Sequence, residues 1–272
     1  MKKRKLAAAF VVTIAAAASA ACFPEPRYNP PGPARVEPPV EHARVTAPPE
    51  LRAILDAPDR SAEDRALDEG RKPAELFAFA GVKPGMRVAE IGAWKGYTAE
   101  LLARAVSPDG TVLAVDPPEF DKYTHATWDE RAKRAPFARI NRVSRAYSDP
   151  LPQGAPVDIV FCTLFYHDMV WLKVDRTAMN AAIFRALAPG GAFVVVDHHA
   201  AKGAGLTVVE KLHRIEESVV VDEIRRAGFV LEADADFLRH PEDPRDWSAS
   251  DEAPADKRGK SDRFVLRFRK PR

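Results

Sequence analysis

The fold is decided by the stretch Arg87-Val-Ala-Glu-Ile-Gly-Ala-Trp-Lys-Gly96, which leads directly into Tyr97-Thr-Ala-Glu-Leu-Leu-Ala-Arg104. The apolar run 88–91 predicts a buried strand, and the run 98–106 predicts a helix. The two glycines therefore lie on a turn from a strand to a helix. In an open α/β sheet such a turn lies at the carboxyl edge, where backbone can approach a ligand closely and a helix N-terminus faces it. The turn is a candidate ligand-binding loop.

A second apolar run, Thr111-Val-Leu-Ala-Val-Asp116, predicts the next strand because it is rich in β-branched residues and lies between Asp109-Gly110 and Pro117-Pro118. Its terminal Asp116 follows Gly92 by roughly 20 residues, the spacing at which nucleotide-binding sheets place an acid for ribose hydroxyls. Glu90 ends the first strand and Asp116 ends the second. Both carboxylates are therefore candidate ligands of one bound cofactor.

At these residues the chain resembles the class I S-adenosylmethionine-dependent methyltransferases. The resemblance implies an α/β fold with a Rossmann-like, doubly wound sheet of seven strands, mostly parallel with an antiparallel last strand. It implies S-adenosyl-L-methionine as cofactor, with Glu90, Gly92 and Gly96 at its methionine part and Asp116 at its ribose. Trp94 stands where the family has a middle glycine, so we expect the loop to leave the backbone path that a glycine allows.

Three further features strengthen the resemblance. Ala188-Pro-Gly-Gly191 before the apolar run 192–196 is similar to the entry into the fifth strand of methyltransferases. The runs 229–234 and 262–270 predict a terminal antiparallel pair, as in that family. Asp197-His198 together with Leu212-His-Arg-Ile215 resembles a group of bacterial, often exported, predicted methyltransferases.

Polar residues follow the predicted fourth strand, 157–163, and the fifth strand. In a doubly wound sheet these positions lie beside the reactive end of the cofactor. The candidate catalytic residues are therefore His167, Asp168, Asp197, His198 and, near the start of a helix predicted over 207–227, His213. His167 could act as a general base because its ordinary pKa is near neutral. The alternative is that it caps the next helix and bonds to backbone.

A metal site is an open alternative at this edge. Asp168, Asp197 and His198 would converge there and offer oxygen and nitrogen ligands to a divalent ion. Catechol-type methyltransferases place metal-binding acids at these two strand ends, but with an asparagine where this chain has His198. The competing interpretation pairs Asp197 with a histidine as acid and base, and we assign no metal ligand from the sequence.

The N-terminus predicts export. Residues 1–22 combine Lys2-Lys-Arg-Lys5 with a short alanine-rich apolar run, which is typical of a signal peptide. Cys22 makes a lipoprotein signal the alternative to plain cleavage, and an uncleaved anchor is a third possibility. Residues 23–50 are proline-rich and predict an extended tether, so the methyltransferase-like domain would span 51–272. We expect a periplasmic or cell-envelope protein, and lipidation of Cys22 would tether it to the membrane by its N-terminus.

Charge gives no sign of a nucleic-acid partner. The chain has 41 Lys and Arg against 39 Asp and Glu, and four of these cations lie in residues 2–5. Removal of the signal leaves 37 against 39, a net charge of −2. The charge therefore gives no reason to expect nucleic-acid binding, and the resemblance implies a methyltransferase that acts on an unidentified small-molecule acceptor. The alternative is an exported, tethered ligand-binding protein that kept the fold and lost catalysis; a nicotinamide dehydrogenase is disfavoured by the missing middle glycine.

Overall fold

The computed structural model describes residues 39–250 and 253–272. The predicted signal peptide, including Cys22, and the tether up to residue 38 lie outside the described residues. The described residues belong to one compact unit. No helix in this part is both long and apolar enough to cross a bilayer.

One mixed sheet forms the centre of this unit. Its strands are β1 (Glu41–Ala43), β2 (Arg87–Ile91), β3 (Thr111–Asp116), β4 (Ile140–Ser144), β5 (Val157–Thr163), β6 (Leu187–His198), β7 (Val230–Ala235) and β8 (Arg263–Arg269). They lie in the order β1-β7-β8-β6-β5-β2-β3-β4. β8 runs antiparallel to β6 and β7, and every other pair is parallel. The predicted mostly parallel, doubly wound fold is confirmed.

The sheet has eight strands in the described residues, where seven were expected. The additional strand, β1, pairs in parallel with β7 at the sheet edge and lies inside the stretch predicted to be a tether. Ala47 and Leu51 are buried in the apolar core just after it. The folded region therefore begins before residue 51. Although this stretch is rich in proline, it contains a strand and apolar side chains that pack against the sheet.

Helices cover both faces of the sheet. They are α1 (Pro49–Ala53), α2 (Ala62–Arg71), α3 (Pro73–Ala80), α4 (Tyr97–Ala105), α5 (Asp121–Ala132), α6 (Asp168–Trp171), α7 (Arg176–Ala186), α8 (Val209–Leu212) and α9 (Glu217–Arg226). Alternate residues of β2 enter different apolar layers, since side chains of a strand point to opposite faces. Val88 packs in the layer with α3 and α4, and Ala89 packs in the layer with α7 and α9.

The single helix predicted over 207–227 is wrong. α8 ends at His213, which has the left-handed φ of +50°, and α9 starts only at Glu217. Between them the Ile215 N–H donates to the His198 carbonyl and the Ile215 carbonyl accepts from Ala200. This extended pairing with the end of β6 excludes a continuous helix. It also brings His213 to the carboxyl edge of the sheet.

Candidate active site

The turn after β2 is fastened to the end of the neighbouring strand. The backbone N–H groups of Gly92 and Ala93 both donate to the Val115 carbonyl. Gly92 and Gly96 have φ values of +76° and +81°, which favour glycine. A Cβ on Gly92 would lie 2.1 Å from the Phe165 ring, and one on Gly96 would lie 2.7 Å from the Trp128 ring. The turn thus requires both predicted glycines for conformation and for space.

Trp94 does not divert the turn, contrary to expectation. Its φ of +48° lies in the left-handed region, so its backbone adopts a conformation that a glycine would favour. Its carbonyl accepts a 2.7 Å hydrogen bond from the Trp128 indole. Its own indole packs edge-on against Phe120, with ring centroids 5.7 Å apart. The tryptophan is accommodated by an aromatic wall beside the turn.

Glu90 lies buried near the end of β2, beneath the turn. Burial raises the pKa of its carboxyl to about 8; nearby Asp116 adds to the rise, while the Thr98 hydroxyl and the Ala99 N–H oppose it. Its Oε2 atom has no hydrogen-bond partner among the described residues. A buried acceptor of this kind is costly unless a donor or a cation binds it. Glu90 is therefore ready to receive a cationic group.

Asp116 ends β3, the strand next to β2. Its Oδ1 accepts a 2.8 Å hydrogen bond from the Tyr147 hydroxyl. Burial raises the pKa of Asp116 to about 6, and the hydrogen bonds from Tyr147 and from the turn backbone limit the rise. Both predicted carboxylates thus lie at the carboxyl edge of adjacent strands, close enough for the Asp116 charge to raise the pKa of Glu90.

A single cavity of about 990 Å³ opens at this edge. Glu90, Gly92 and Gly96 line one end, while Asp116 is absent from its lining. The other end is lined by four of the five predicted catalytic residues, His167, Asp168, His198 and His213. The aromatic wall between them includes Trp94, Phe120, Tyr123 and Phe165. The two predicted groups of site residues therefore share one cavity.

The fifth predicted catalytic residue, Asp197, supports the cavity from behind. It is fully buried, and its Oδ1 lies 2.7 Å from His167 Nδ1. The same carboxylate accepts the backbone N–H groups of His167 and His198, each at 2.7 Å. Burial disfavours the charged form of His167, but Asp197 and Asp168 outweigh it and raise the pKa of His167 to about 10. Because its oxygens are used in this way, Asp197 does not group with Asp168 and His198 as metal ligands.

Asp168 is the centre of the cavity-lining cluster. Its Oδ1 lies 3.1 Å from His167 Nε2, 3.5 Å from His213 Nδ1 and 2.7 Å from the Trp171 indole nitrogen. These neighbours overcome the effect of burial and hold the pKa of Asp168 well below its usual range. His198 instead bonds to the Ser261 hydroxyl, and burial together with the nearby His167 charge holds its pKa well below the ordinary value.

Comparison with known proteins agrees with this geometry. Residues 89–195 match the sequence profile of a family described as a methyltransferase domain. Residues 89–195 carry a class I S-adenosylmethionine-dependent methyltransferase domain. An S-adenosylmethionine-dependent methyltransferase of Aquifex aeolicus has the same fold, with a TM-score of 0.54 and 17% identity over 80% of this chain and 97% of that one. An arsenic(III) S-adenosylmethionine methyltransferase of Chlamydomonas reinhardtii also has this fold, with a TM-score of 0.51. Its sequence identity is 18%, and the match covers 84% of this chain and 75% of that one.

A protein-L-isoaspartate O-methyltransferase of Hyperthermus butylicus is 29% identical to this chain over 162 residues. The matched region covers 54% of this chain and 60% of that protein. The family profile ends at residue 195, before Asp197, His198 and His213. The family profile therefore covers all four predicted cofactor residues but only two of the five predicted catalytic residues, His167 and Asp168.

S-adenosylmethionine is the methyl donor that this domain family implies, and the residues present fit it. Glu90 lines the cavity, and its unpartnered Oε2 suits the ammonium group of the methionine part. The Asp116 carboxylate can accept hydrogen bonds from ribose hydroxyls. The crowded, positive-φ glycines keep the turn free of side chains at Gly92 and Gly96.

Sequence reasoning missed Phe165, whose ring covers Gly92 and contacts Tyr147. Its signal was present, since it follows β5 directly at the same edge. On the helices before β2, Arg71 lines the cavity, Arg65 bonds to backbone carbonyls, and Phe77 is fully buried in the core.

Arg214, the residue after His213, has a structural role. It is fully buried, and its guanidinium bonds to Asp243 at 2.8 Å. It also donates to the carbonyls of His199 and Trp247. These bonds tie the loop after β7 to the segment that carries His213. Arg214 therefore helps to position His213.

Proposed function

We propose that the protein transfers a methyl group from S-adenosylmethionine to a small-molecule acceptor. The observation that carries this proposal is the single cavity that joins the cofactor residues Glu90 and Gly92 to the cluster of His167, Asp168 and His213. A methyl donor and its acceptor must meet in one enclosed space, with the reacting atoms in line. The cavity provides such a space.

The proposed division of work follows the two ends of the cavity. Glu90, Gly92 and Gly96 would hold the methionine part of the cofactor, and Asp116 would hold the ribose. S-adenosylmethionine supplies a methyl group on a positively charged sulfur, which any well-placed nucleophile can attack. The protein must therefore orient the acceptor and accommodate its proton. His167, Asp168, His198 and His213 line the end where these tasks would be performed, while Asp197 fixes the orientation of His167.

Calorimetric titration of the purified protein with S-adenosylmethionine and S-adenosylhomocysteine tests this proposal. We expect one molecule of either to bind. The ligand-binding alternative, in which catalysis has been lost, predicts uptake of neither, and nicotinamide cofactor titrated in the same way tests the dehydrogenase interpretation. Absence of binding by both sulfur compounds would overturn the proposed function.

The acceptor is sought with methyl-labelled S-adenosylmethionine and a panel of small hydroxyl, thiol and amine compounds. An isoaspartyl peptide is a useful comparison, because the Hyperthermus butylicus relative is named for that reaction. We expect label in a small compound and none in the peptide. Label in the peptide alone would replace the small-molecule acceptor with a protein.

We further propose that the protein belongs to the exported bacterial group and is held in the periplasm or cell envelope by its N-terminus. The support is the charged and apolar pattern of residues 1–22 and the prolines that follow. Cell fractionation and mass spectrometry of the mature N-terminus test this. An acylated Cys22 would establish a lipid anchor, cleavage without acylation would leave a released protein, and an intact Met1 in the cytosol would contradict export.

A further inference from the structure

We propose that His167, Asp168 and His213 bind one divalent transition-metal ion at the acceptor end of the cavity. One ligand atom from each of these three residues lies within 4.8 Å of the other two. The Asp168 Oδ1 atom is 3.1 Å from His167 Nε2 and 3.5 Å from His213 Nδ1. Metal bonds of about 2.0–2.2 Å to nitrogen and oxygen separate adjacent ligand atoms by roughly 3–3.5 Å. Both distances from Asp168 lie in this range, and the ligand atoms of the two histidines are within 4.8 Å of each other.

The hydrogen bonds behind the cluster suit a metal site. Asp197 binds His167 through Nδ1, which leaves Nε2 directed at Asp168. A carboxylate behind a histidine in this way fixes the tautomer and the ring orientation of metal-binding histidines. The Trp171 indole holds the Asp168 carboxylate from its other side. Two of the three ligands are thus oriented before any ion arrives.

The third ligand is positioned by the break between α8 and α9. His213 follows α8 and has a left-handed backbone. The next two residues are fixed by hydrogen bonds, since the Arg214 side chain donates to Asp243 and the Ile215 N–H donates to the His198 carbonyl. His213 retains 28% side-chain exposure, while His167 retains 4%. The cluster is therefore closed on the protein side and open toward the cavity, where further coordination positions would face the acceptor.

The ligand set selects the kind of ion. Two imidazoles and one carboxylate suit zinc, iron, manganese or cobalt, whereas calcium and magnesium prefer oxygen ligands throughout. Three protein ligands with open positions are typical of catalytic sites and unlike closed structural ones. We therefore use Zn²⁺ as the probe and Mg²⁺ as the comparison ion.

The ion would define the acceptor as an alcohol, a phenol or a thiol, an extension that rests on the proposed function. Binding of the acceptor's oxygen or sulfur to the ion lowers its pKa, so its proton passes to solvent. The resulting anion attacks the methyl carbon as the carbon–sulfur bond breaks. The electron pair of that bond goes to sulfur, and the products are the methylated acceptor and S-adenosylhomocysteine.

Calorimetry of the full protein after chelator treatment tests the site. We expect one Zn²⁺ per chain and at least tenfold weaker Mg²⁺ binding. Asp168→Ala and His213→Ala each remove a ligand and should weaken Zn²⁺ binding about 100-fold or more, whereas Asp197→Asn should weaken it about 10- to 100-fold. His125→Ala is the matched control, because this histidine is exposed on α5 and bonds to a backbone carbonyl. Circular dichroism verifies that each variant is folded.

Two outcomes overturn the metal site: no Zn²⁺ uptake by the unaltered protein, or equal uptake by the unaltered protein, Asp168→Ala and His213→Ala. In the first case the cluster would hold a proton shared among its side chains instead of an ion. S-adenosylmethionine titrated into the same metal-free protein separates the two proposals. Cofactor uptake without Zn²⁺ uptake rejects the metal site alone, and Zn²⁺ uptake without cofactor uptake rejects the methyltransferase function alone.

Discussion

The two ends of the cavity are prepared for their ligands in opposite ways. At the cofactor end, Glu90 keeps a buried oxygen without a partner, and burial raises the pKa of its carboxyl to about 8. At the acceptor end, Asp168 bonds to three side chains, and its pKa is lowered. One end thus keeps an acceptor oxygen that a donor group of the cofactor can bind. The other end is already organised by the protein.

This contrast follows from where the residues come from. The cofactor end is built from two adjacent strands and the turn between β2 and α4, all within residues 90–116. The acceptor end gathers residues after β5, after β6 and after α8. A short segment can position backbone and a few side chains, while several separate segments need hydrogen bonds to one another to hold their geometry. Predictions can therefore separate the two ends by affinity and by turnover.

The largest expected effect concerns Asp197, which should alter turnover and leave cofactor binding intact. Asp197→Asn removes the charge that orients His167 through Nδ1. We expect kcat to fall about 100-fold, by analogy with other residues that orient an active-site histidine. The dissociation constant of S-adenosylhomocysteine, measured by calorimetry, should stay within about twofold because Asp197 does not line the cavity.

The control is Asp158→Asn, which neutralises the carboxylate that accepts a hydrogen bond from the Arg87 N–H at the opposite edge of the sheet. This change should reduce stability without a selective loss of kcat. A large loss of cofactor affinity in Asp197→Asn would show that the two ends are coupled, and the comparison would fail.

The next effect should be confined to the cofactor end. Gly92→Ala places a Cβ 2.1 Å from the Phe165 ring at a φ of +76°. Overpacking costs about 1–3 kcal/mol and the left-handed conformation about 1–2 kcal/mol. We expect cofactor affinity to fall about 30-fold and the melting temperature to decrease.

Gly85→Ala is the matched control, since Gly85 has a φ of +83° but no atom within 4 Å of its Cβ position. It reports the backbone cost alone. A second variant, Gly92→Ala with Phe165→Ala, should regain part of the lost affinity. Equal effects of Gly92→Ala and Gly85→Ala would show that crowding by Phe165 has no role.

Glu90→Gln should lower the affinity for S-adenosylmethionine about tenfold, the loss expected when about 1.4 kcal/mol of charge interaction is removed. The same change should stabilise the protein without ligand at alkaline pH. Below pH 4.5 the carboxyl is protonated in both states, and between pH 4.5 and about 8 the unfolded chain ionises first. The stability of the unliganded protein therefore decreases as pH rises through this range.

Thermal unfolding from pH 5 to pH 9 measures this effect. The melting temperature of the unaltered protein should fall more steeply with pH than that of Glu90→Gln. Cofactor binding to the ionised form should also release close to one proton at pH 7, detectable as a dependence of binding enthalpy on the buffer. Parallel melting curves for the two proteins would contradict an ionisable, unpaired Glu90.

The sequence predicted the cofactor end well because its determinants are local. The strands containing Glu90 and Asp116 were recognised from apolar runs, and two crowded glycines from their place between a strand and a helix. Trp94 was misjudged, since a left-handed tryptophan is unusual and depends on the aromatic wall that Phe120 helps to form. That wall is assembled by tertiary contacts that no local pattern reveals.

The acceptor end was predicted as a set of residues but not as an arrangement. All five of its predicted residues lie at one edge of the sheet. Only the structure shows that Asp197 lies behind His167, and that His213, not Asp197, lies beside Asp168. The sequence favoured one helix through His213, because the pairing of Ile215 with the end of β6 is a long-range contact. Edge strand β1 was missed for the same reason.

The smallest expected effect tests whether a hydrogen bond within the protein also prepares the cofactor end for its ligand. Tyr147→Phe removes the hydroxyl that donates to Asp116, a bond that limits the rise in the pKa of this carboxyl. Without it the pKa should move above about 6, so more of the carboxyl is protonated at pH 6 and fewer acceptor sites remain for ribose hydroxyls. We expect cofactor affinity to fall about threefold at pH 8 and further at pH 6, as hydrogen bonds to charged groups contribute modest net energies. Tyr123→Phe is the control, because that ring lies on the same aromatic wall beside Trp94. If Tyr147→Phe lost the same cofactor affinity at pH 6 and at pH 8, the effect would not arise from the titration of Asp116.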